Sequence, residues 1–180
     1  MPLLNSVTTP YAEALLQVVN ENDQTEDIVR EVKQLLTLIN DAPELGKTLT
    51  SPVLETETKK KIIIEIFSEK INSSLLNFLK LLTDRQRIGI VTSILDRFLE
   101  IYRENSKIAL ATVTSAVELT DDQKSLITNK IITRAGTEKL ELVTKIDKSL
   151  IGGFVASVGS KVIDATLASQ IRKLGLSLSK

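Results

Sequence analysis

Apolar residues recur at helical spacing through the first hundred or so positions and then change to alternation, so the chain reads as two unlike parts. Thr9 before Pro10 reads as an N-cap followed by proline at the first helical position, and Tyr11, Ala14, Leu15 and Val18 continue at helical spacing. Thr25 is placed to cap a second helix with the stripe Ile28, Val32, Leu35, Leu36 and Ile39, ended by Asn40-Asp41-Ala42-Pro43. A short helix from Pro43 to Leu49 stops at Ser51-Pro52. Thr56 opens a fourth helix burying Ile62, Ile63, Ile66 and Phe67. Ser73 or Ser74 opens a fifth with Leu75, Phe78, Leu79 and Leu82, and a sixth carries Ile88, Val91, Leu95, Phe98 and Tyr102. The short connections favour antiparallel neighbours, which makes residues 1–105 an all-helical bundle.

From Ile108 to Val117 small and β-branched residues dominate, and the segment reads as a strand. Thr120 with Gln123 forms a capping box for a helix reaching Arg134, and Gly136 sits where a helix-ending left-handed residue belongs. Leu140, Leu142, Thr144 and Ile146 alternate with Glu141, Lys145 and Asp147, and a second alternating run follows from Gly152 to Ile163. The two runs predict a hairpin across Lys148 and Ser149. Asp164 then caps a last helix with Leu167, Ile171, Leu174 and Leu178 on one face. The expected fold is mainly α: an N-terminal six-helix bundle, residues 1–105, and a small C-terminal α+β domain, residues 106–180.

Composition sharpens this division. The formal net charge of the 180-residue chain is zero. Residues 1–105 hold 12 Lys/Arg against 16 Asp/Glu, a balance of −4, and residues 106–180 hold 11 against 7, a balance of +4. Five of the seven glycines lie in the second part. The chain contains neither Cys nor His, so thiolate nucleophiles, imidazole bases, disulfides and the usual zinc ligands are excluded, and the lack of cysteine fits a reducing compartment. The core is aliphatic, with four Phe, two Tyr and no Trp, which leaves few platforms on which a base could stack. No apolar stretch approaches the ~20 residues of a membrane span, and MPLLNSVTTP lacks the basic region and apolar block of a signal peptide.

Candidate chemistry dissolves on inspection of spacing. Gly152, Gly153 and Gly159 with Ser160 and Lys161 suggest a phosphate cradle, but that loop needs Lys directly after its second glycine, and here Ser160 intervenes. A strand relaxed by glycine where something packs closely is the better reading. Lys59-Lys60-Lys61 reads as a solvated helix face. Asp121-Asp122 and the group Glu21, Asp23, Glu26 and Asp27 sit where helix starts favour negative charge. Asp84, Arg85 and Arg87 fall at a helix junction suited to a structural ion pair. No nucleophile stands beside a base, and no metal, cofactor or catalytic set is expected. The residues describe a two-part binding protein.

The hairpin region carries a resemblance. Lys145-Ile146-Asp147-Lys148-Ser149-Leu150-Ile151-Gly152-Gly153-Phe154, followed by Val158-Gly159-Ser160-Lys161-Val162-Ile163-Asp164-Ala165, resembles the C-terminal signature of the delta-subunit family of rotary ATP synthases, whose mitochondrial equivalent is the oligomycin-sensitivity-conferring protein. Tyr11-Ala12-Glu13-Ala14-Leu15, Leu76-Asn77-Phe78-Leu79-Lys80-Leu81-Leu82 with Arg87, and Ser115-Ala116 agree in order and spacing. Gln170, Arg172 and Gly175-Leu176-Ser177-Leu178 look most like cyanobacterial or plastid versions.

The resemblance implies a six-helix domain joined to an α+β domain, and a mechanical task in place of catalysis. It implies that the N-terminal bundle receives the N-terminal helices of alpha subunits between its first and fifth helices. The C-terminal domain would hold the b-type subunits of the peripheral stalk, so that the catalytic head resists rotor torque. It also implies peripheral attachment to an energy-transducing membrane on its cytoplasmic or stromal face, a thylakoid for cyanobacterial or plastid versions. Tyr11, Ala14 and Leu15 on the first helix, Asn77 and Leu81 on the fifth, and Gly153 are the positions it marks for partner binding. The alternatives are a nucleic-acid-binding module using the basic tail, whose charges are dispersed and which offers only Phe154 for stacking, and a small enzyme using Asp, Lys or Tyr.

Overall fold

The computed structural model describes residues 2–51, 53–135 and 139–178. They form two compact units that divide between Tyr102 and Arg103. The first holds α1 (Pro2–Glu21), α2 (Thr25–Asp41), α3 (Pro43–Thr50), α4 (Thr56–Phe67), α5 (Ser73–Asp84), a single 3-10 turn (Ile88–Ile90) and most of α6 (Val91–Asn105). The second holds β1 (Ile108–Ser115), α7 (Asp121–Ala135), β2 (Lys139–Ile146), β3 (Phe154–Val158), β4 (Lys161–Asp164) and α8 (Leu167–Leu178).

The helical unit closes over one aliphatic core. Val19, Ile28, Val32, Ile63, Leu75, Leu82, Ile94, Leu95 and Phe98 are fully enclosed, drawn from α1, α2, α4, α5 and α6. Each such side chain contributes about 1.5–3 kcal/mol on burial, which is what holds helices of 8 to 20 residues that would be marginal alone. α5 packs against both α4 and α1, and α1 also against α2.

The start of α1 departs from the sequence expectation. Pro10 lies inside the helix, which begins at Pro2, and Thr9 is no N-cap. Thr8 is buried in line with Ala12, Leu15, Leu16 and Val19, so burial continues the helix back past Pro10, although proline can donate nothing to the Ser6 carbonyl. The Thr9 hydroxyl instead accepts a hydrogen bond from Arg97 Nε of α6 at 3.3 Å. Thr25 likewise is the first residue of α2 and donates to Asn20 Oδ1 at 2.8 Å, with Gln24 in the cap position. At α5 the cap is Asn72, whose Oδ1 accepts from the Ser74 N–H at 2.9 Å.

In the second unit the sheet order is β2-β1-β3-β4, with β1 parallel to β2 and antiparallel to β3, and β3 antiparallel to β4. Val113 stands opposite Thr144 on one side and Ala156 on the other. The predicted hairpin across Lys148 and Ser149 therefore does not form. The β1–α7–β2 crossover makes β1 and β2 parallel and leaves the far edge of β1 open, and β3 takes that edge. Asp147 turns the chain there: its N–H donates to the Ser115 carbonyl at 2.9 Å, and its Oδ1 accepts from the Ser149 N–H at 2.9 Å. The real hairpin is β3–β4, turning at Gly159 with φ of 56°. Ala111, Val113, Ala156 and Val158 pack beneath Ile127 and Ile131 of α7.

The capping box at α7 forms as expected, with Thr120 N–H donating to Gln123 Oε1 at 3.0 Å and Gln123 N–H donating to Thr120 Oγ1 at 3.3 Å. Ahead of α8 Thr166 is the cap, accepting from the Ser169 N–H, while Asp164 accepts from the Thr166 N–H and hydroxyl. Gly136, Pro52 and the side chains of Leu174 and Leu178 lie outside the described residues.

Candidate docking surfaces

Helix α1 carries two apolar rows about one position apart. Thr8, Ala12, Leu15, Leu16 and Val19 face the core, with Leu15 only 2% exposed. Val7 and Tyr11 are half-buried, while Ala14 and Val18 are exposed, Val18 to 46%. The stripe expected from sequence mixed the two rows: Leu15 is a core residue and Tyr11 packs half-buried at its margin, whereas Ala14 and Val18 are exposed. The doubled pattern is visible in Tyr-Ala-Glu-Ala-Leu-Leu-Gln-Val-Val, but spacing alone does not say which row is buried.

On the contacting helix α5, Leu75, Phe78, Leu79 and Leu82 point inward, while Asn77 is exposed and Leu81 is 44% exposed. Two contacting helices thus each keep apolar side chains in water.

Polar contacts hold both ends of α5, and sequence inspection missed one of them entirely. Glu31 Oε2 of α2 accepts the Asn72 N–H at 2.7 Å, at the N-terminal end. At the other end Lys60 of α4 reaches Asp84 at 2.5 Å and Glu57 at 3.1 Å, with its side chain 23% exposed. The hydrogen bond to Asp84, then that to Glu57, raises the Lys60 pKa above its ordinary value. The middle residue of the lysine run is therefore a tertiary tie and not part of a solvated face, and Asp84 pairs with it. Arg85 and Arg87 are exposed.

In the second unit Gly153 has φ of 81°, and a Cβ there would collide with the Ala165 carbonyl oxygen and stand 2.8 Å from Thr166 Cα. Its neighbour Gly152 accepts the Leu167 N–H at 3.1 Å. The two glycines bring the β3 start against the β4–α8 junction. Beside them lies a recess of about 700 Å³ lined mainly by apolar groups, among them Leu126, Ile131, Phe154, Ile163 and Ala165. Leu126, Leu167 and Ile171 remain exposed, Leu126 to 63%. The sequence predicted a close approach at these glycines, and this is it.

The remaining candidates do not converge. Gly159 turns a hairpin and precedes no helix, so Gly152 to Lys161 does not build a phosphate cradle. Asp27 pairs with Arg30 at 2.7 Å and Asp121 with Lys124 at 3.0 Å, and Glu21 accepts from Gln17. Among the described residues no three carboxylates gather as a metal site, and no helix is long and apolar enough to cross a membrane.

Both units keep apolar side chains exposed, the kind of surface on which another chain can dock. The family model for the ATP synthase delta (OSCP) subunit matches residues 7–178. Proteins named ATP synthase subunit delta are similar along the whole chain: 90% identical in Prochlorococcus marinus subsp. pastoris, with both chains fully covered, and 53% identical in Prochlorococcus marinus strain NATL2A, covering 100% of this chain and 99% of that one. A chain in the Toxoplasma gondii mitochondrial ATP synthase hexamer shares the fold at a TM-score of 0.71, 18% identity and 96% and 97% coverage. The chain belongs to the ATP synthase delta (OSCP) subunit family and is a stator component of that complex, a structural subunit and not the catalyst.

Proposed function

We propose that the chain links the catalytic head of the ATP synthase to its peripheral stalk and so resists rotor torque during ATP synthesis. In this reading the first unit takes the N-terminal helices of alpha subunits on the α1–α5 face, through Tyr11, Ala14, Asn77 and Leu81, with Leu15 supporting the face from below. The second unit holds the ends of the b-type stalk subunits at the α7–α8 side, where Gly153 shapes the junction beneath α8. Attachment to the membrane is peripheral, through the complex, on the cytoplasmic or stromal side of a thylakoid membrane, as the cyanobacterial relatives suggest.

The observation that carries the reading is the exposure of Ala14 and Val18 on α1, next to half-buried Tyr11, and of Leu81 on α5, a helix that packs against α1. A small residue such as Ala14 lets a partner helix approach closely, and an amphipathic helix is what an apolar inter-helix face accommodates.

Ala14→Asp tests it. The position is exposed, so the free bundle tolerates the carboxylate, but a docked helix would strip its water. Desolvating even a neutral polar group costs roughly 1–3 kcal/mol, so affinity for an alpha-subunit N-terminal peptide should fall by roughly fivefold to more than a hundredfold in titration calorimetry. Glu13→Gln, on an exposed neighbouring position, should change little. An unchanged affinity in a folded Ala14→Asp protein removes α1 from the docking face.

A further inference from the structure

We infer that Glu31 and Lys60 are positioning residues for the proposed α1–α5 docking face: they fix α5 along its own axis through polar ties from neighbouring helices at its two ends. The inference rests on the reading that a partner helix docks on that face.

A helix carries partial positive charge at its N-terminus and partial negative charge at its C-terminus, and is stabilised by an acid at the first and a base at the second. α5 has no acidic residue in its first turn and no basic residue in its last turn. Both charges nevertheless arrive. The Glu31 carboxylate of α2 takes the Asn72 N–H at 2.7 Å, one residue ahead of the helix. The Lys60 ammonium of α4 pairs at 2.5 Å with Asp84, the last residue of α5. Glu31 brings the sign that the N-terminal end favours, and Lys60 neutralises the Asp84 carboxylate, whose charge the C-terminal end disfavours. A charge supplied within α5 would stabilise the helix wherever it sat. Supplied by α2 and α4, it also sets where α5 sits relative to them.

The consequence lies between the two ties. Asn77 and Leu81 stand on the stretch they span and are exposed, on a helix that packs against α1. Apart from Thr83, whose hydroxyl donates to the Leu79 carbonyl of its own helix, the inward side chains of α5 are Leu and Phe, whose contacts fix depth and crossing angle better than axial position, because apolar packing is not directional. The two polar ties supply the directional part. A pre-positioned face spares the partner the ordering cost of binding.

The experiment uses the full chain, an alpha-subunit N-terminal peptide from Prochlorococcus marinus, and the variants Glu31→Ala, Lys60→Met, their combination, and the conservative Glu31→Gln and Lys60→Arg. In calorimetry the folded double variant should bind roughly tenfold more weakly, equivalent to about 1.4 kcal/mol, and the conservative changes should restore affinity to within about twofold of the parent chain. Amide exchange gives a second readout that needs no peptide. Glu31→Ala should accelerate exchange in the first turn of α5, around Ser74 to Leu76, and Lys60→Met in the last turn, around Leu82 to Asp84. Should the double variant fail to fold, the single variants carry the same comparison. Full affinity in folded variants, or exchange that rises uniformly through the bundle, overturns the positioning role. Failure of the parent chain to bind the peptide overturns the docking reading itself, and is seen before any variant is made.

Discussion

Single residues in this chain do work that their types conceal. Gly153 was marked by resemblance for partner binding, yet its geometry is that of a residue with no room for a side chain, at φ of 81° against the Ala165 and Thr166 backbone. Gly153→Ala must therefore strain its own backbone, at about 1–3 kcal/mol for a non-glycine residue in such a region, and also displace the β4–α8 junction. The urea midpoint of the second unit should drop accordingly. A variant of parental stability that has lost stalk binding would instead make Gly153 a contact residue. Ala14 shows the converse. Its side chain reads as core on spacing but is exposed, because the buried row of α1 runs one position away through Ala12, Leu15 and Leu16. Glu31 could not have been singled out at all: a glutamate on a helix looks the same whether it meets water or the N–H of a residue 41 positions away.

At the scale of elements, what was legible is what is written locally. Helix ends punctuated by Pro43 and the Thr120–Gln123 box, and inward rows such as Leu75, Phe78, Leu79 and Leu82, depend on neighbours within a few residues, and the structure has them where the pattern predicts. Strand order is different. The alternation in β2 and β3 says that each has two faces and says nothing about which strand lies beside it; proximity in the chain favours a hairpin across Lys148 and Ser149, but β1 lies between the two strands. The connection there is instead an Asx turn built on Asp147. Its carboxylate accepts from Ser149, first through the hydroxyl and then through the N–H, and both lower its pKa. A carboxylate depressed in the folded state stabilises above its unfolded pKa of about 3.9, and loses that contribution as the pH falls through the depressed native value. Asp147→Ala should accordingly lower stability at pH 7, and the deficit should close as the pH falls below about 4. Paired denaturation series at the two pH values check it. A deficit unchanged by acid would mean that the turn does not depend on the charge.

Over the whole molecule, the change in apolar period and the opposite charge balances place a boundary near Asn105, whereas the compact units divide between Tyr102 and Arg103. Arg103, the first residue of the second unit, meets Glu141 Oε2 of β2 through its Nε at 2.7 Å, with the two side chains 15% and 21% exposed, although the sequence there continues the helical pattern. No local signal distinguishes that arginine from one facing solvent. We expect the two units to fold separately, and the ion pair fixes where the cut should fall. Residues 1–105 should unfold cooperatively as a helical fragment, since the core of Leu15, Ile63, Leu82 and Phe98 lies wholly within them. For the remainder the start point matters. A fragment beginning at residue 106 leaves Glu141 half-buried without its Arg103 partner, and losing one member of a charged hydrogen bond at such a site costs about 1.5–3 kcal/mol. A fragment beginning at residue 103 keeps the pair. Urea titrations of 103–180 and 106–180 should therefore differ by that amount in favour of the longer fragment, and Glu141→Gln should narrow the difference. Equal stabilities would show that the ion pair contributes nothing to the second unit, and would return the boundary to Asn105.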